Sequence, residues 1–173
     1  MCKRRQFDRW FAKMITAISI ATTLVAVTVL IHFEGLQLLS RGLRQFAGHG
    51  RWHMLIIIYG VIVVHILEIA IYGFGYWLGD IIFDIGQFAG VRAVNFREYI
   101  FFSAETFTSL GLGDVYPLGA LRLIASVEVL NGLILIGWST SFTFLVMIKY
   151  WGRTLNVEEK PILTLSAPDN DAL

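Results

Sequence analysis

Charge and cysteine are both scarce in this chain of 173 residues. Only 16% of residues are charged, the net charge is +1, and Cys2 is the single cysteine. One thiol closes no intrachain disulfide, and no C-x-x-C or zinc-type spacing is present. There is no basic face with nucleic-acid-reading signatures, so no nucleic-acid partner is expected. No hydrophobic stretch carries arginines at every third position, which argues against a voltage-sensing helix. No nucleophile, base and orienting group stand together, so neither an enzyme nor a cofactor is expected. Internal repeats and low-complexity runs are absent as well.

What is abundant is apolar surface: 56% of residues are hydrophobic and the mean hydropathy is +0.66. That composition places the chain in a lipid bilayer. Three stretches, 14–33, 54–78 and 121–150, reach the roughly 20 apolar residues that a spanning helix needs. The first follows Lys3, Arg4, Arg5, Arg9 and Lys13, like the start of a secretory signal, but no small-residue cleavage site follows it. It is expected to remain as a helix, with Thr16, Ser19, Thr22 and Thr23 forming a small polar stripe suited to contact with another helix. Its loop, with Leu38, Leu39, Leu43 and Phe46 among arginines, reads either as a basic amphipathic piece on the membrane surface or as an unstructured connector. Residues 95–108, with Phe96, Tyr99, Phe101, Phe102 and Phe107, read as an amphipathic helix too short to span. Residues 151–173 turn polar, with Pro161 and Pro168, and predict a cytoplasmic tail.

The most specific run is ETFTSLGLGDVYP, residues 105–117. A dehydrated cation needs a cage of oxygens, and a short extended backbone supplies one when successive carbonyls point the same way. Alternation of ordinary and positive φ achieves this, and glycine takes positive φ at little cost. Gly111 and Gly113 stand where that alternation requires them. Ser109, Leu110 and Leu112 are left to turn their side chains outward into packing.

This run resembles the pattern E-T-x-T-T-V-G-Y-G-D-x-Y-P of tetrameric potassium-channel pore domains, and the likeness extends over about residues 96–150. Glu105, Thr106, Thr108, Gly111, Gly113, Asp114, Tyr116 and Pro117 match it, while Ser109, Leu110 and Leu112 replace Thr, Val and Tyr. The resemblance implies an all-α membrane protein with three transmembrane helices, a re-entrant pore helix and a selectivity filter, built as a homotetrameric pore. It also implies that K+ binds at Ser109, Leu110, Gly111, Leu112 and Gly113, with Thr108, Glu105, Asp114 and Tyr116 as filter support. Leu112 removes the tyrosine that would tie the filter to its surroundings. A weakly selective monovalent cation channel and a non-conducting, modulatory pore-like subunit therefore stand as alternatives. The implied division is an extra helix and loop at 1–53, then a pore domain at 54–150. Within the pore domain come an outer helix at 54–78, turret at 79–94, pore helix at 95–108, filter at 109–114 and inner helix at 119–150. The flanking sequence is similar to small bacterial channels with an extra helix, which implies a multi-pass protein of the bacterial inner membrane.

Several residues have two readings. Gly132 and Gly137 in the inner helix serve either as hinges or as sites of close packing. In the turret, Asp80 and Asp84 either attract cations or are simply solvated. His65 and Glu68 share a helical face in the second span, where ionisable groups are costly. With Glu105, Glu128, Asn131 and Asp114 they are expected to form a buried polar layer behind the filter, acting either as a pH sensor or as a satisfied hydrogen-bond network. Two ligands alone do not define a metal site, and a third would have to come from another helix.

Overall fold

The computed structural model describes residues 2–45, 50–90 and 95–154. Four helices dominate it: α1 (Cys2–Gln45), α2 (Gly50–Trp77), α3 (Phe96–Phe107) and α4 (Leu121–Thr154). Three are long and apolar enough to cross a membrane, over Gln6–Gly42, Met54–Ile82 and Leu121–Lys149. Of residues 36–52, read as the first loop in the sequence, 36–45 continue α1 and 50–52 begin α2. Phe46 lies outside the described residues, as do 91–94 of the turret and 155–173 of the tail; residues 151–154 extend α4.

Each helix direction follows from its packing. Leu24 packs on Gly75, Val64 on Gly35 and Leu39 on Gly60, so α1 and α2 run antiparallel. Thr28 meets Asn131 and His32 meets Ser139, so α1 and α4 run parallel. The buried face of α1 is Ala17, Ala21, Leu24, Thr28, His32 and Leu36, a single line at helical spacing. Small side chains there bring the helix axes together. The stripe of Thr16, Ser19, Thr22 and Thr23 does not make that contact within the chain. Its hydroxyls donate to carbonyls four residues back at 2.8–3.0 Å, and Ser19, Thr22 and Thr23 are exposed.

At its end α2 widens into a π turn, Leu78–Ile82, which bends the chain toward α3. A short ladder joins β1 (Phe88–Gly90) to β2 (Val115–Pro117), antiparallel, with Ala89 opposite Tyr116. Among the described residues this ladder is the one departure from an all-helical reading, and it clips residues 88–90 to the segment that follows residues 109–114. Phe88, Tyr76, Tyr99 and Phe102 pack edge to face at centroid distances of 5.0–5.5 Å, which joins the ladder, α2 and α3.

Asn131 fastens α1 to this frame. Its amide donates one hydrogen to Thr28 Oγ1 at 2.8 Å and the other to the Tyr72 hydroxyl at 3.1 Å. One side chain thus joins α4 to α1 and α2. Asn131→Ala is expected to remove about 1 kcal/mol and lower the melting temperature in detergent by about 2–4 °C, with proteolysis of α1 becoming faster; an unchanged melting curve would contradict this role.

Candidate functional site

The site begins at α3. Asn95 caps its N-terminus, its side-chain oxygen accepting from the Arg97 amide at 3.0 Å. Tyr99 donates to Asp80 at 2.8 Å, so Asp80 holds the pore helix rather than standing free in the turret. Burial, with the Asp80 hydrogen bond and charge second, raises the Tyr99 phenol well above its ordinary range. Asp84 pairs with Lys13 at 3.1 Å on the exposed surface.

The far end of α3 unwinds in an orderly way. Thr108 is its C-cap, with its hydroxyl donating to the Ala104 carbonyl at 2.7 Å. The Ser109 amide donates to the Thr106 carbonyl at 3.0 Å and the Leu110 amide to that of Glu105 at 2.7 Å. Then φ turns positive at alternate residues: Ser109 at 60°, Gly111 at 59° and Gly113 at 81°. Leu110 and Leu112 between them are not among the positive-φ residues. The alternation anticipated for the two glycines therefore begins one step earlier, at a serine. A side chain in this left-handed region carries about 1–2 kcal/mol of strain, so the surrounding structure must hold Ser109 there. Residues 109–114 are exposed in the single chain, and the side chains of Leu110 and Leu112 lie open at 64% and 63%. They are not turned into packing within one copy, as the sequence had suggested. Asp114 follows with its carbonyl pressed against Gly90, where a Cβ would lie 2.1 Å from that oxygen. Tyr116 is half-exposed in the ladder.

Behind this backbone His65, Glu68, Glu128 and Asn131, four of the six residues expected in one polar layer, fall into three separate hydrogen-bonded sets. In the first, Glu128 on α4 accepts from Ser103 on α3 at 2.6 Å and from the Tyr76 hydroxyl on α2. The Ser103 hydroxyl also lies 2.9 Å from the Ile69 carbonyl, so it bridges α2 and α4. The second set is Asn131 with Thr28 and Tyr72. The third centres on Glu68, whose two oxygens each lie 2.9 Å from an imidazole Nδ1, one from His65 and the other from His32. Glu105 is part-buried on α3, and its backbone carbonyl takes the Leu110 amide.

His32, Ser103, Tyr76 and Tyr72 were missed in the sequence reading. A signal for His32 existed: it is an ionisable group inside the first apolar span, and such groups rarely lack a partner. Its distance along the chain from the α1–α2 connection also resembles that of His65. The serine and tyrosines had no comparable signal, because hydroxyls are common in such helices.

Gly132 stands at a close approach of α4 to the end of α3. A Cβ there would lie 2.3 Å from the Phe107 carbonyl oxygen, against backbone that cannot swing away. Around Gly137 nothing lies within 4 Å of the same position. Gly132→Ala is expected to push the end of α3 off α4 and cost about 1–3 kcal/mol, read as a lower melting temperature in detergent. Gly137→Ala should melt like the parent or slightly higher. Equal melting of the two variants would overturn the close-approach argument.

The geometry now has a helix of 12 residues, a strained backbone turn of alternating φ, and a long apolar helix on either side. A model of the family described as "Ion channel" matches residues 51–149. No curated protein and no solved structure matches the chain. The matched region takes in α2, α3, the 109–114 turn and nearly all of α4, more than half of the chain, and this multi-pass membrane protein belongs to that ion channel family.

Proposed function

We propose that four copies of this chain surround one passive, potassium-selective pore whose filter is the backbone of Ser109, Leu110, Gly111, Leu112 and Gly113. The observation that carries this reading is the alternation of positive φ at Ser109, Gly111 and Gly113 immediately after the C-cap of α3. Such a backbone can aim successive carbonyls toward one axis, where they replace the hydration shell of K+. The negative end of the α3 dipole points toward the same region and favours a cation. Non-helical backbone at membrane depth persists only where it is buried in protein or lines water. The exposure of residues 109–114 in one chain is therefore supportive, because neighbouring copies would cover their side chains. Thr108, Glu105, Asp114 and Tyr116 act as filter support. Transport without catalysis and a bacterial inner-membrane location belong to the same proposal.

Leu112 favours a second reading, a weakly selective monovalent cation channel, since it offers no hydroxyl to brace the filter. Purified protein in liposomes separates the two. Potassium flux that barium blocks, with sodium flux much smaller, is the expected result; equal sodium flux supports the second reading. No flux from cross-linked tetramers would leave a non-conducting, modulatory subunit. Gly111→Ala, which puts a side chain at φ 59°, should reduce potassium flux sharply. Retained wild-type flux in that variant would place the ion path elsewhere.

A further inference from the structure

Apart from the filter, the described residues hold one convergent cluster of metal-ligating side chains. His32 on α1 and His65 and Glu68 on α2 place one ligand atom each within 4.8 Å of one another. His32 and Glu68 are fully buried, and the His65 side chain is 18% exposed. Both imidazoles turn Nδ1 toward the carboxylate, at 2.9 Å, each to a different oxygen.

We propose that His32, His65 and Glu68 form a binding site for a transition-metal dication of the zinc type. Two imidazoles and one carboxylate suit such an ion and do not suit Mg2+ or Ca2+, which take oxygen ligands. Zinc bonds to nitrogen and carboxylate oxygen at about 2.0–2.2 Å, so tetrahedral donors stand about 3.3 Å apart. Opening the 2.9 Å contacts by a few tenths of an ångström makes that space. Three protein ligands leave a fourth position for water.

Two further observations point the same way. Ligation through Nδ1 requires the imidazole proton on Nε2, and the His32 Nε2 lies 3.3 Å from Ser139 Oγ, a hydroxyl that then accepts it. A ligating histidine regularly donates its second nitrogen in this manner. The charge balance is also improved. The Glu68 carboxylate is fully buried, and a carboxylate in a low-dielectric setting is charged only at high cost. A dication removes that cost. The surroundings are fixed on other sides by rings, with Trp138 at 5.3 Å from the His32 ring and Phe107, the last residue of α3, at 5.6 Å from that of His65. A bound ion would therefore lock α1 to α2 directly behind the end of the pore helix.

The test uses the tag-free full chain in detergent, stripped with chelator, and needs no ion flux, so it stands or falls separately from the channel reading. Zn2+ titrated calorimetrically should bind at about one ion per chain, with a rise in melting temperature that Mg2+ does not reproduce. Co2+ should give the visible absorption of a low-coordinate nitrogen and oxygen site, displaced by Zn2+. His65→Gln and His32→Gln should abolish this binding, while Ser139→Ala, which keeps all three ligands, should weaken it by about tenfold. Failure of the wild-type protein to bind Zn2+, or binding undiminished in both histidine variants, would overturn the proposal. If neither variant folds, the wild-type cobalt spectrum decides, and a spectrum of hexa-aqua Co2+ would overturn it.

Discussion

The buried carboxylate of Glu128 takes hydroxyl hydrogens from Tyr76 on α2 and Ser103 on α3, and so determines where a helix of only 12 residues can sit. Such a helix cannot rely on spanning the bilayer for its position. Apolar contacts alone would leave it free to slide, because lipid tails are as apolar as the side chains they would replace. Directional bonds remove that freedom. Ser103 also reaches the Ile69 carbonyl, Asn95 caps the start of the helix, and Tyr99 is held by Asp80. With α3 fixed along its length, the backbone leaving Thr108 starts from a defined point and direction. Removing the carboxylate would take this acceptor from the buried Tyr76 hydroxyl and leave Ser103 with the Ile69 carbonyl alone, which cuts the tie from α3 to α4.

The segment at 109–114 depends on that frame more than on its own side chains. Leu112 contributes no polar tie, and Gly111 and Gly113 contribute none either. The restraints lie at the two ends instead. On one side are the Thr108 cap and the amides of Ser109 and Leu110. On the other, the Asp114 carbonyl rests against Gly90, and the ladder pairs Tyr116 with Ala89. Gly90 and Gly132 permit close backbone approach before and behind the turn, at 2.1 Å and 2.3 Å from where their Cβ atoms would be. A strained serine at φ 60° is tolerated because both flanks are over-determined.

The spans and the pore helix were legible in the sequence because their signals are local: long apolar runs, a short aromatic segment and a glycine alternation. The predicted outer helix at 54–78 and pore helix at 95–108 differ from α2 and α3 mainly at their ends, where caps and fraying decide. The partners of Glu68 were half-legible. His65 lies three residues away on the same helix, but His32 reaches Glu68 only through the antiparallel register of α1 and α2, which side-chain volumes at Gly35, Gly60 and Gly75 determine. Likewise Glu128 and Asn131 were identified as buried polar residues, yet their assignment to separate sets depends on which hydroxyls stand opposite. The Thr16 to Thr23 stripe is not used within the chain for a related reason. Small hydroxylated residues suit helix contacts, but they satisfy themselves equally well on their own carbonyls, and alanines took the inner face.

Helix directions also place the two groups of basic residues that flank the first span. Because α1 runs antiparallel to α2 and parallel to α4, its N-terminal end lies beside the turret, whereas Arg41, Arg44 and Arg51 lie at the end where α4 finishes. The two clusters therefore occupy opposite ends of one hairpin, and an excess of lysine and arginine at one end does not orient it. The N-terminal cluster adds positive charge beside residues 79–90. Lys13 is partly compensated there, since Asp84 binds it at 3.1 Å. That exposed pair adds less than about 1 kcal/mol to stability, too little to anchor α1, whose hold comes from Asn131 and the packed seam with α2. Its effect is on the local field: within about 8–10 Å at physiological salt, the paired lysine leaves the surface beside Asp84 less positive.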